Sequence, residues 1–177
     1  MSIHKHLRNF IHERNGSAAI EFALVFPVMV MMFMGMFEVP RYVSANMKLA
    51  NVAQLMANLV AQQGNMTSAL TTNFCTGGQM AMTPLSGTPL KVAIVSVTRG
   101  AASVTVDWQD TGCGGASAIS GPAGLVTTLI PSVGNSAIIV QATYTYNSPL
   151  AYVLSTTYTI TQTAFARPRN VKTITHS

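Results

Sequence analysis

No residue between Phe22 and Phe37 carries a charge, and with Ser17 to Ile20 added the apolar stretch reaches about 20 residues, the length that crosses a bilayer as a helix. That run fixes the first half of any fold: a long apolar α-helix near the N-terminus. Glu21 is its anomaly. A carboxylate in such a segment costs on the order of 2.5 to 3.5 kcal/mol even on lenient insertion scales, so it is read as functional by default. With 177 residues, 49% of them hydrophobic and 8% charged, the remainder has room for one modest domain with a real core.

A short basic leader precedes the run. Lys5, Arg8 and Arg14 keep the N-terminus cytoplasmic by the positive-inside rule, and the long segment after residue 40 lies outside. Leu7, Phe10 and Ile11 could lay the leader on the inner leaflet as a helix; the simpler reading is a topology signal. His4, His6 and His12 share this terminal segment with no cysteine and with Glu13 as its single carboxylate, which favours solvated side chains over a metal cluster. A cleaved secretory signal is the rival reading, but the apolar run is long for one and Met34 to Pro40 offers no small-x-small cleavage site. The net charge of +5 draws no basic face, because the other cations are scattered, so nucleic acid is not an expected partner.

At the junction the chain reads Gly16-Ser17-Ala18-Ala19-Ile20-Glu21-Phe22-Ala23-Leu24-Val25-Phe26-Pro27. A glycine, four small or apolar residues, a glutamate and then an apolar run resemble the processing site of type IV prepilins, and the wording is closest to the TadE-like pseudopilins of tight-adherence (Flp) pili. The resemblance covers roughly residues 14 to 60. It implies scission between Gly16 and Ser17 by a membrane-embedded prepilin peptidase, which leaves Glu21 fifth in the mature chain, with Glu21, Phe22 and Pro27 serving assembly. The other partners it implies are pseudopilins and pilin subunits, an inner-membrane assembly platform and the lipid bilayer, with no cofactor. Two features depart from the wider pattern: Ser17 is small and polar where many type IV prepilins place a bulky apolar residue, and the chain is much longer than a major Flp pilin. The length argues for a minor pseudopilin.

Residue chemistry agrees with that site. Glycine lets an extended chain enter a narrow proteolytic cleft. The freed Ser17 amine, with an ordinary pKa of roughly 7.7 to 8, could pair with Glu21 of the same or a neighbouring subunit; otherwise Glu21 sits in the headgroup layer by the helix N-terminus. Pro27 removes a backbone hydrogen bond and should kink or loosen the helix, which membrane helices tolerate. Met29, Met31, Met32, Met34 and Met36 suit lipid or helix packing. Glu38 and Arg41 can pair if the helix survives Pro40. Leu49, Val52, Met56, Leu59 and Val60 then recur at helical spacing, so an amphipathic extension continues to about Gln63, with Gly64 and Asn65 as its stop.

Beyond it the pattern changes. Residues 66–89 read as a connector with one short helix near Thr67 to Phe74. Lys91 to Thr98 and Ser103 to Gln109 form a hairpin, the second strand placing Val104, Val106 and Trp108 on one face. Residues 110–136 form a glycine-rich loop with a short helix near Leu125 to Ile130. Ala137 to Tyr146, with Ile138, Val140, Tyr144 and Tyr146 on one face, and Tyr152 to Phe165 make a second hairpin across Asn147-Ser148-Pro149. Arg167 and Arg169 lie in a basic ending, read as a solvated terminus in preference to a partner contact.

Cys75 and Cys113, the only cysteines, are expected to form a disulfide in an oxidising compartment, two buried thiols being the alternative. Histidine occurs only at 4, 6, 12 and 176, and neither a GxSxG elbow nor a phosphate-binding loop is present, so an enzyme is not expected. Asp107 and Asp110 are too few to make a good calcium site, and solvation at a hairpin end is the better reading.

The expected fold is α+β and pilin-like: a long N-terminal helix packed on a small antiparallel sheet of about four strands. Its expected divisions are a cytoplasmic leader (1–16), a transmembrane segment (17–40), an amphipathic extension (41–64) and a β-rich extracytoplasmic domain (65–177). The expected location is the bacterial inner membrane, single-pass with a periplasmic C-terminal domain, or a surface pilus. The expected function is assembly or priming of an adhesive pilus; the alternative is an unprocessed, membrane-tethered binding domain.

Overall fold

The computed structural model describes residues 15–148 and 157–177, with side chains in the first helix from Ala18 onward. The leader, with His4, His6 and His12, lies outside the described residues, as do Pro149 and Tyr152.

Helix α1 spans Asn15–Ala61, 47 residues, and passes unbroken through Pro27 and Pro40. Its two halves have different surroundings. From Ile20 to Phe37 most large apolar side chains are exposed, Val30 and Met34 being half-buried, whereas from Ala45 onward Leu49, Val52, Ala53, Met56, Ala57 and Val60 are buried. Those positions recur at three- and four-residue steps, and the alanines let the helix lie close to what covers it.

The cover is a four-stranded antiparallel sheet in the order β3-β2-β4-β5, made of β2 (Leu90–Arg99), β3 (Val104–Cys113), β4 (Ser136–Asn147) and β5 (Thr157–Ala166). Val92, Ile94, Ile138, Val140, Ala142, Tyr144, Tyr146, Ile160 and Ala164 face α1. On the other face Ala93, Val95, Val97, Ala137 and Ile139 are covered by Ile119, Val126 and Ile130 from the β3–β4 connection. Burial on both faces explains why β2 reads as a continuous apolar run without alternation. The connection holds a helix at Pro122–Leu125 (α3 in chain order), displaced from the expected Leu125 to Ile130.

A bulge overturns the expected face of β3. Val106 pairs with Val97, but Trp108 pairs with Ser96, so Asp107 is an extra residue on this strand. The inserted residue reverses the side chains beyond it as far as a second register shift before Cys113. Val104 therefore packs with the outer cluster, and Trp108 packs with the core beneath α1.

The expected short helix in the connector is longer: α2 spans Ser68–Ala81, capped by Thr67, whose hydroxyl accepts from the Leu70 amide at 3.2 Å. The helix runs on through Gly77 and Gly78; at Gly78 a side chain would meet Met56, Val52 and Leu90 at 3.3 to 3.4 Å. Close packing on α1 and β2 thus sets that glycine. Cys75 on α2 is bonded to Cys113 at the end of β3. Gly114 then turns away with φ +66°, and a Cβ there would lie 2.4 Å from the Leu90 carbonyl oxygen.

The ending is tied to the domain through its backbone, while the Arg167 and Arg169 side chains are exposed. β1 (Asn65–Met66) pairs in parallel with β6 (Thr175–His176). The Arg169 amide donates to the Ala61 carbonyl at 2.9 Å, and Asn170 Nδ2 to the Gln62 carbonyl at 2.8 Å. Carbonyls left unpaired where α1 ends are thereby satisfied by the tail.

Candidate functional site

The junction residues lie at the start of α1. Gly16 and Ser17 fall in its first turn, followed by Glu21 and Phe22, both exposed. Phe22 and Phe26 stack at 5.4 Å between ring centroids, just ahead of Pro27. Glu21 and Glu38 bracket the uncharged section; at 1.5 Å per residue they stand about 26 Å apart, close to the hydrocarbon thickness of a bilayer. An apolar helix exposed around most of its circumference is unstable in water and calls for lipid or partner helices. This helix is long and apolar enough to cross a membrane, and is a candidate membrane anchor.

At the far end of the bare section Glu38 turns inward. The Tyr146 hydroxyl donates to Glu38 Oε1 at 3.0 Å, and Oε2 is buried without a hydrogen-bond partner. The expected Glu38–Arg41 pair is absent; the only ion pair among the described residues is elsewhere. A tyrosine brought in by the sheet reaches the carboxylate first. Burial pushes the Tyr146 pKa up to about 12, helped by the hydrogen bond and charge of Glu38, so the phenol stays protonated and donates. Tyr42 packs edge-on against both Tyr146 and Tyr158, with ring centroids 6.0 and 5.9 Å away. Glu38, Tyr42, Tyr146 and Tyr158 thus join the helix to the last hairpin where α1 meets the domain.

A second polar cluster closes the other end. Asp110 accepts from Thr71 Oγ1 at 2.6 Å and the Gly112 amide at 2.7 Å, and pairs with His176 Nε2 at 3.0 Å. Burial alone would raise the Asp110 pKa; the bonds from Thr71, Gly112 and His176, with the charge of His176, outweigh it and hold the carboxyl below its ordinary value. Trp108 Nε1 donates to the Ile174 carbonyl at 2.6 Å, and its ring lies 5.1 Å from that of His176. Thr71 gives its proton to the carboxylate and not to the imidazole, so the geometry is a latch on the tail and not a base-activated hydroxyl. Asp107 points elsewhere, accepting from Ser96 at 3.0 Å and Thr98 at 2.7 Å. The two carboxylates therefore do not converge, and no group of three metal-ligating side chains gathers among the described residues.

Sequence reasoning named the junction and the cysteines. It missed the Glu38–Tyr146 bond and the Asp110–His176 latch, whose partners are 108 and 66 positions apart. The one available signal was the buried face assigned to Tyr144 and Tyr146, since a buried phenol needs a partner.

No curated protein and no solved structure matches the chain. Residues 16–58 match the family model described as TadE-like protein, so the first helix, from the junction into its sheet-covered half, is similar to that family.

Proposed function

We propose that the chain is a TadE-like pseudopilin, cut between Gly16 and Ser17 by a prepilin peptidase and then active in assembling or priming a tight-adherence pilus. The observation that carries this reading is the division of α1 into a bare apolar section and a sheet-covered section within one unbroken helix. Such a rod can be held by lipid and later exchange lipid for neighbouring helices without rebuilding its folded domain. In this reading α1 spans the bacterial inner membrane once, with the leader in the cytoplasm and the β-rich domain outside. Cleavage requires the first turn of α1 to open; a helix end frays readily, and glycine adds freedom. The new Ser17 amine then pairs with Glu21 of the same or a neighbouring subunit, offsetting the cost of a carboxylate near lipid.

The test is the intact mass of membrane-derived protein from cells with an active peptidase. The expected mass lacks residues 1–16 for the natural chain and retains them in part or wholly for Gly16→Ala. A natural chain that still begins at Met1 overturns processing and favours an unprocessed tether. Glu21→Ala is expected to be processed yet to lower pilus yield; a normal yield removes the ion-pair role alone.

A further inference from the structure

Beyond Glu38, helix α1 presents Arg41, Ser44 and Lys48 on one face, at steps of three and four residues. The segment after α2 and the end of β4 close over that face. They leave a cleft of about 370 Å³ walled by these three side chains with Leu85, Tyr146 and Asn147. Lys48 Nζ donates to the Thr83 carbonyl at 2.7 Å, which fixes the ammonium at the cleft with protons still to give. Neither cation has a carboxylate within ion-pair distance among the described residues. Glu38, about one turn closer to the bare section, brings the local charge from +2 to +1 without cancelling it.

The same stripe, followed back toward the bare section, carries Phe37 and Phe33, four and eight residues before Arg41. Their rings meet edge-to-face at 4.9 Å and are 56% and 62% exposed. Cations above and exposed aromatic rings below match the order of groups in a phospholipid, with phosphate at the surface and acyl chain beneath. With α1 in a bilayer, the cleft lies where the uncharged section ends, at the depth of the headgroups. The inference therefore rests on the membrane-spanning reading.

We propose that this cleft seats one phospholipid, its phosphate between Arg41 and Lys48 with Ser44 as a further donor, and an acyl chain along Phe37 and Phe33. Guanidinium and ammonium groups are strong phosphate donors, and a cleft built from α1, the post-α2 segment and β4 presents them together. Occupancy fixes the depth and rotation of α1 in the membrane and holds the domain against its surface.

The test uses the full chain extracted in a detergent without phosphate, with phosphatidylglycerol, diacylglycerol of the same acyl chains, or inorganic phosphate added, and bound mass read by native mass spectrometry. One phosphatidylglycerol is expected to be retained, with diacylglycerol and inorganic phosphate each held at least about tenfold more weakly. Arg41→Gln, an exposed substitution, is expected to lower retention by about tenfold, and Arg41→Lys to recover part of it. Phe37→Ser is expected to lower lipid retention as well. Trp108 fluorescence during denaturation checks that each variant keeps its fold. Equal retention of diacylglycerol and phosphatidylglycerol, inorganic phosphate held as tightly as the lipid, or unchanged retention in Arg41→Gln overturns the proposal. A chain recovered soluble without detergent overturns the membrane reading itself, whereas a membrane-extracted chain that fails the lipid comparison overturns only the cleft assignment.

Discussion

Asp110 shows how much one side chain does once the fold has formed around it. Its carboxylate collects Thr71 from α2, the Gly112 amide from its own strand and His176 from the tail. Because these bonds hold its pKa below the ordinary carboxylate value, the unfolded chain binds more protons between the folded and unfolded values, and stability falls with pH across that window. The contribution is complete above the ordinary range for aspartate and is lost as the pH drops through the folded value. Asp110→Asn is expected to cost about 1 to 3 kcal/mol near neutral pH and to flatten the acid limb of the stability curve. Urea denaturation followed by Trp108 fluorescence from pH 7 downward measures both effects, and an acid limb as steep as in the natural chain would refute this role. None of this was legible locally: Asp107 and Asp110 look alike in sequence, and only the bulge and the docked tail give them different partners.

Among the elements, α2 is the one whose place depends most on a covalent tie. Cys75 and Cys113 close a loop over a separation of 38 residues, for which the chain-entropy model gives about 4 kcal/mol. Replacing both cysteines by serine is expected to lower stability by about that amount, seen as a lower urea midpoint, while the four-stranded sheet persists by circular dichroism. A midpoint unchanged from that of the oxidised chain would show that packing of α2 through Gly78 suffices. The cysteines were visible in sequence, and pairing followed from the inferred compartment. The length of α2 was not visible, because glycines at 77 and 78 signal an end unless the neighbouring side chains that require them are known.

The whole molecule has two regimes along a single helix. Leu49 is fully buried under the sheet, whereas Leu24 is 73% exposed. Leu49→Ala is expected to destabilise the domain by about 2 to 5 kcal/mol through lost transfer energy and a cavity, and Leu24→Ala to leave its denaturation unchanged. Comparable losses in the two variants would contradict the division of α1 on which the pseudopilin reading rests. By itself the sequence determined the long helix, its bare and covered halves, the two hairpins and the glycine–glutamate junction. Each of these is written in short-range periodicity, turn chemistry or spacing along the chain. Tertiary structure decided the order of the strands, the reversal of Trp108 to the inner face, the partner of Glu38, the latch on Asp110 and the docking of the tail. Those depend on contacts between residues far apart in sequence, where a single extra residue at Asp107 redirects a strand and no local pattern records which distant group arrives first.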